Sequence, residues 1–278
     1  MNPTPSMANR TMMQRPQSRI DRVGFFARVR SAPARVLALD YDGTLAPFCL
    51  SPTQAVPYPG VVAILDAIMD SARTRVVIAS GRWIKDLVPL LGLKRLPELW
   101  GCHGWEGLYP SGDYHSPAIG SDTLERLSAT RDWTTEIESF GARAERKPAG
   151  IAFHWRGLSD DRIAHIRTQV LENWETMAQC DDFAWHDFDG GIELRVAGRD
   201  KGDVVRTLTS ECGPDSAIAY LGDDRTDEDA FMAIPRDGAA VLVRRQFRPT
   251  VADLWIRPPE ELLEFLIHWR EASAHESP

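Results

Sequence analysis

The chain has 278 residues, 43% apolar and 26% charged, which is long enough for two packed units and excludes a disordered or fibrous protein. Its 32 basic and 40 acidic residues leave a net charge of −8, a balance that repels polyphosphate and excludes a non-specific nucleic-acid binder. No run of 18 uncharged apolar residues is present, so no membrane span is predicted; Cys49, Cys102, Cys180 and Cys212 are scattered without a CxxC pair, which predicts free thiols in a reducing, cytoplasmic compartment rather than disulfides or a zinc site.

Residues 1–30 hold six arginines and one acid, Asp21, with no apolar stretch of the secretory kind. They read as a flexible tail, with a short helix around Ile20–Val29 docking on the body; an organelle transit segment is the other reading. Arg35–Asp40 (RVLALD) is an apolar run ending in an acid, a buried strand. Pro59-Gly60 opens a helix, Arg75–Ala79 is a second buried strand, Trp83–Leu91 suits a helix and Leu99–Cys102 a short strand. The alternation returns late, with Asp203–Cys212 helical, Ala217–Leu221 a strand, Asp227–Ile234 a helix, Ala239–Val243 a strand and Glu260–Arg270 a closing amphipathic helix. This pattern predicts βαβ units, hence a doubly wound, Rossmann-like α/β core spanning residues 31–108 and 198–278.

Between them, residues 109–197 follow a different pattern. Turn residues at Tyr109–Tyr114 signal a hairpin, a helix is expected over Thr123–Phe140, and Arg143–Lys147 and Ile151–Trp155 flank Pro148-Ala149-Gly150. A helix over Asp160–Met177 and a pair at Phe183–Asp187 and Ile192–Val196 complete an inserted α+β unit with helices on one face of an antiparallel sheet. With 9 Lys/Arg against 16 Asp/Glu, the insert carries most of the net negative charge.

In doubly wound sheets ligands bind beyond the carboxyl ends of the strands. The segments found there are Asp40-Tyr41-Asp42-Gly43-Thr44, Ser80-Gly81-Arg82, Lys201-Gly202 and Gly222-Asp223-Asp224-Arg225-Thr226-Asp227. Each alone reads as a turn, a helix cap or a solvated charge; the four together at strand ends read as phosphoryl-transfer chemistry. A carboxylate attacks phosphorus, a second acid two residues on protonates the leaving oxygen, and a lysine, a hydroxyl and a hard divalent cation offset the phosphate charge.

The set DYDGT, SGR, a downstream lysine and GDDRTD resembles the four motifs of the haloacid-dehalogenase phosphatase superfamily. LDYDGTLAP, ASGR, GCHGWEG, DKG and LGDDRTDEDAF, from about Arg35 to Trp269, narrow the resemblance to the trehalose-6-phosphate phosphatase family. That resemblance implies Asp40 as nucleophile, Asp42 as general acid/base, and Mg2+ held by the Asp40 and Asp223 carboxylates and the Asp42 carbonyl. It implies that Ser80, Gly43, Gly81 and Arg82 meet the phosphate, that Lys201 clamps Asp40, and that Asp224 and Asp227 support that machinery. The insert becomes a mobile cap that selects the sugar through Arg146, Lys147, His154 and Glu193, with His103, Gly104 and Glu106 at the hinge. Departures from the family pattern are Val196-Ala197-Gly198 after Arg195, where the family often has Arg-Pro, and the large aromatics Trp105 and Trp155.

The expected activity is Mg2+-dependent hydrolysis of trehalose 6-phosphate through an aspartyl-phosphate, by a monomer (a dimer stays open) acting on a small molecule and on neither nucleic acid nor membrane. The alternatives are a phosphatase for sucrose, glucosylglycerol or mannosylglycerate phosphate, and a phosphatase-like module that binds a sugar phosphate without turning it over.

Overall fold

The computed structural model describes residues 18–178 and 181–274. The rest of the expected N-terminal tail, and Cys180, lie outside the described residues. The order of elements is α1 (Arg22–Ser31), β1 (Arg35–Leu39), α2 (Val61–Asp70), β2 (Arg75–Ala79), α3 (Ile84–Leu91), β3 (Glu98–Gly101), β4 (Glu106–Leu108) and β5 (Tyr114–His115). Then follow α4 (Ser121–Ala129), α5 (Arg131–Ser139), β6 (Arg143–Lys147), β7 (Gly150–His154), α6 (Asp160–Ala178), β8 (Phe183–Phe188) and β9 (Gly191–Val196). The chain closes with α7 (Lys201–Cys212), β10 (Ala217–Gly222), α8 (Glu228–Ala233), β11 (Ala239–Val243), β12 (Leu254–Ile256) and α9 (Glu260–Ser273).

Eight strands form one sheet in the order β12-β11-β10-β1-β2-β3-β4-β5. It is parallel from β12 to β3, and β4 and β5 add an antiparallel hairpin at its edge. The central strands are buried along their whole length because both faces are covered, so they read as unbroken apolar runs. On one face Leu37, Leu39, Ile78 and Leu221 meet α1, α2, α3 and α9; on the other Val36, Ala38, Val77 and Tyr220 meet Val204, Val205 and Leu208 of α7 and Phe231 of α8. Four further strands, β6-β7-β9-β8, form a separate antiparallel sheet. One of its faces packs Ile151, Phe153, Ile192 and Leu194 against Ile137 of α5 and Ile166, Val170 and Trp174 of α6. Its other face is charged and looks toward the carboxyl edge of the large sheet.

Two expectations shift. The hairpin signalled around Tyr109–Tyr114 is β4–β5 and extends the large sheet, so residues 109–115 belong with the core rather than with the insert. The helix expected over Thr123–Phe140 is two helices meeting at Thr130. The short helix expected around Ile20–Val29 is present as α1, set by Asp21, whose side chain accepts from the Val23 N–H, and it docks on the body with Phe25 and Val29 buried. The closing helix seals its face of the sheet with Trp269, fully buried and donating from Nε1 to Thr74 Oγ1 at 3.2 Å. Trp269→Ala is expected to cost about 3–5 kcal/mol, read by denaturant unfolding, since the cavity it leaves is walled by rigid strands and helices.

Candidate active site

The end of β1 delivers Asp40 into the middle of the sheet edge, its N–H bonded to Leu221 O of the neighbouring β10 at 2.8 Å. The α7 N-terminus, fixed by a reciprocal Asp200–Asp203 capping box, delivers Lys201 from the other side. Lys201 Nζ sits 2.6 Å from Asp40 Oδ1 and 2.7 Å from Asp227 Oδ1, and all three side chains are buried. Asp227 is saturated: Oδ1 also accepts from Tyr220 Oη at 2.7 Å, and Oδ2 accepts from the N–H groups of Asp223 and Asp224, each at 3.0 Å. Burial works against its charge, but Lys201 and these donors outweigh it and hold the carboxyl below the ordinary aspartate range. Asp40 goes the other way, pushed up to about 7, chiefly by burial and then by Asp227 and Asp42, with Lys201 pulling it down. Asp223 is pushed well up by burial and by the neighbouring carboxylates Asp40, Asp227 and Asp224.

Asp40, Asp223 and Asp227 thus present carboxylate oxygens within 4.8 Å of one another in a buried space served by one lysine. Asp227 has no oxygen to spare. Asp40 and Asp223 keep free lone pairs, and among the described residues the three clustered carboxylates face only Lys201 and, 3.4 Å from Asp223 Oδ2, the Arg244 guanidinium, which fits a hard divalent cation with oxygen ligands. Gly43 closes against this cluster: its φ is +88°, and a Cβ there would lie 2.3 Å from Asp223 Oδ2.

Asp42 is gripped by Arg82 as a fork, Nε to Oδ2 at 2.6 Å and Nη2 to Oδ1 at 2.7 Å, while Arg82 Nη1 donates to Pro52 O at 3.0 Å. The Ser80 hydroxyl, buried behind them, accepts from the Arg82 N–H at 3.1 Å. Gly81 leaves room for the His103 ring, whose atoms would lie 2.6 Å from a Cβ at that position.

Facing these loops is the charged face of the small sheet. Its centre is Glu193, buried and bound by Lys147 Nζ at 2.7 Å, Arg195 Nε at 2.8 Å and His103 Nε2 at 3.0 Å. Burial opposes its charge, yet Arg195 and Lys147 keep it ionised, well below the usual range. His103 is lowered to about 3 by burial and by Arg195, so its imidazole is neutral, with Nε2–H donating to Glu193. Beside it His154 Nε2 meets Glu145 Oε2 at 2.7 Å. One cavity of about 140 Å3, open to solvent, is lined by Asp40, Asp42, Arg82, Lys201 and Asp223 on one side and Lys147, His154 and Glu193 on the other.

Of the residues the sequence singled out, Arg146 does not enter this cavity. It pairs with Ile151, on the helix-packed face opposite Glu145 and Lys147, because side chains alternate along a strand. Glu106 is buried away from the cavity, accepting from the Ile84 N–H at 2.6 Å and Tyr114 Oη at 2.8 Å, so it anchors the start of α3 and β5 rather than a ligand. Gly104 (φ +103°) packs against the Asp200 carbonyl, a turn position outside the cavity. Ser80 and Gly43 likewise support the loops from behind the cavity lining. The sequence reading missed Arg143, Glu145, Arg156, Phe188, Asp189 and Arg195, all cavity-lining. Strand parity with Lys147 and Glu193 is the signal that finds Arg143, Glu145 and Arg195.

The trehalose-phosphatase family model matches residues 38–250. A trehalose-phosphate phosphatase of Mycobacterium marinum is 34% identical over 250 residues, covering 84% of this chain and 61% of that protein, so the chain spans about three fifths of the length of the mycobacterial trehalose-phosphate phosphatases it matches. The C-terminal domain of Candida albicans trehalose-6-phosphate phosphatase superposes with a TM-score of 0.79 at 22% identity, covering 93% of this chain and 99% of that one. The C-terminal domain of a Candida albicans trehalose synthase regulatory protein superposes at 0.65 with 14% identity, covering 92% and 98%. At these identities the structures speak for the fold alone.

Proposed function

The chain belongs to the trehalose-phosphatase family, and from that premise we propose that it is a Mg2+-dependent phosphatase releasing phosphate from trehalose 6-phosphate. The observation that carries the reading is the placement of Lys201 between Asp40 and Asp227, in one cavity with the Lys147–Glu193–Arg195 cluster. Asp40 Oδ attacks phosphorus, the bond from phosphorus to the sugar oxygen breaks, and Asp42 gives that oxygen its proton. Asp42 then takes a proton from the water that hydrolyses the aspartyl-phosphate. For this Asp42 must leave the grip of Arg82, and the incoming phosphate dianion is the natural competitor for that guanidinium. Lys201 holds Asp40 in place and offsets the charge on the equatorial oxygens. Mg2+, held by Asp40, Asp223 and the Asp42 carbonyl, would supply further charge neutralisation when bound.

The small sheet with its helices, from residue 116 to 197, serves in this reading as the cap, with Glu193, Lys147 and His154 meeting sugar hydroxyls. Glu193 and Lys147 are already paired with each other and His154 with Glu145, so they are set in orientation before the sugar arrives. The enzyme is read as a cytoplasmic monomer acting on a small molecule. Among the described residues no helix is long and apolar enough to cross a membrane, and Cys49, Cys102 and Cys212 are free.

The test is phosphate release with Mg2+ from trehalose 6-phosphate, sucrose 6-phosphate, glucose 6-phosphate and p-nitrophenyl phosphate. The expected result is a strong preference for the first, lost on adding EDTA. Activity on the generic ester alone discards the substrate and keeps the chemistry. The likeness to a regulatory protein's domain makes a second outcome meaningful: stoichiometric binding without release on any ester identifies a sensing module.

A further inference from the structure

We propose that Asp189, at the tip of the β8–β9 hairpin, is a positioning residue that holds the cap down on the catalytic loops and thereby sets the preference for a large sugar phosphate over a small ester. This rests on the reading of the cavity as a sugar-phosphate site. The tip is braced from its own side. Phe188 stands edge-on to His154 with ring centres 5.2 Å apart, the Trp155 N–H donates to Gly190 O at 2.9 Å, and Arg156 bonds both the Asp189 carbonyl and, at 3.2 Å, its Oδ1. From this braced position Asp189 reaches across the cavity to the loop after β10 and the end of β11. Its N–H donates to Asp224 Oδ2 at 2.7 Å, and its Oδ2 accepts from Arg244 Nη2 at 3.0 Å. The same guanidinium reaches Asp223 Oδ2 at 3.4 Å through Nη1. Alongside, Arg156 lies over the Phe48 ring of the loop after β1, 4.2 Å from its centre.

The cap therefore meets the core at two kinds of contact. At the hinge side His103 and Glu193 are buried, with side chains 7% and 3% exposed. At the tip Asp189 and Arg244 are 30% and 28% exposed, partly solvated and open to screening. The tip is the contact that can part and re-form. When it is made, the Glu193 and Lys147 groups are held opposite Asp40; when it parts they move away together, because β6 and β9, joined through β7, carry them as one sheet. A disaccharide phosphate gains those groups only with the cap down, whereas a small aryl ester needs only the core loops.

The test compares Asp189→Asn, which keeps size and the N–H, and Asp189→Lys, which sets a cation against Arg244, in the Mg2+-loaded enzyme. The expected result for Asp189→Lys is a fall of about tenfold in kcat/KM for trehalose 6-phosphate, carried by KM, against less than about threefold for p-nitrophenyl phosphate. In the parent the sugar-phosphate KM rises with NaCl, and in Asp189→Asn that rise flattens. Small-angle scattering of the substrate-free protein is expected to give a larger radius of gyration for Asp189→Lys. Equal losses on both esters, or scattering profiles identical to the parent's at every salt concentration, overturn the proposal. If the parent releases phosphate from no sugar phosphate, the functional reading fails, and the scattering series still decides the latch.

Discussion

Asp40→Asn is expected to lower phosphate release by about 10^4-fold or more, on every ester tested, while leaving the protein folded. The first part follows from the attacking atom: a carboxamide keeps the size of the side chain and its place beside Lys201 but has no nucleophilic oxygen anion. The second part has a definite sign. In the metal-free protein Asp40 titrates at about 7 against an ordinary 3.8, driven first by burial and then by the carboxylates around it. A group raised in the folded state contributes stability that is fully present below about pH 4 and is lost as pH rises through about 7. At pH 8 the native protein therefore carries a buried anion it would be better without, and Asn removes it. Thermal melts without metal are expected to show the variant at least as stable as the parent at pH 8, with a shallower decline between pH 4 and 7. Part of the decline remains, because Asp223 is raised by the same burial. Turnover within tenfold of the parent would falsify Asp40 as nucleophile; a collapsed melt would mean that the carboxylate is structural.

Why these loops were legible and the cap was not comes down to periodicity. β1, β2, β10 and β11 are buried on both faces, so each is an unbroken apolar run, and the residue just past its end is a loop residue at the sheet edge. Asp40, Ser80 and Asp223 could be placed from the sequence for that reason alone. β12 has no such signature: Leu254–Ile256 is three residues at the sheet edge, too short for a pattern to show. In the cap the decisive fact is parity. Within Arg143–Lys147 the odd positions face the cavity and Arg146 faces the helices, and a strand read as charged at both Arg146 and Lys147 gives no hint of this until its pairing with β7 is known. Glu106 looked like a hinge ligand because it follows His103-Gly104, but its carboxylate is consumed by the Ile84 N–H and the Tyr114 hydroxyl. Asp189 was invisible for a different reason: its partners Asp224 and Arg244 lie 35 and 55 residues later, and only the closure of one sheet over the other brings them together.

Lys201→Met is expected to act in the opposite sense on stability. Lys201 is the cation within hydrogen-bond reach of both Asp40 and Asp227, with Asp223 close by, and the methionine fills similar volume without charge. Removing one partner of a buried ion pair leaves uncompensated carboxylates, a loss of about 3–5 kcal/mol. The loss has a pH signature. Asp227 is depressed in the parent by Lys201, so its contribution is present above the ordinary aspartate range and lost as pH falls through its lowered folded value. Without the lysine that contribution goes, and the buried carboxyls take up protons instead. Denaturant unfolding should therefore show a large deficit at pH 8 that narrows at pH 5. Catalysis should fall by about 10^2–10^3-fold, since the charge that meets the phosphate is gone but the nucleophile remains. In an Asp40→Asn background the same Lys201→Met change should cost less stability, because one of the two anions it left stranded is no longer there, and the difference measures the Lys201–Asp40 coupling directly. A Lys201→Met protein as stable as its parent at pH 8 would mean that the buried acids are held by something other than this lysine, and the account of why Asp40 and Asp227 tolerate burial side by side would fail with it.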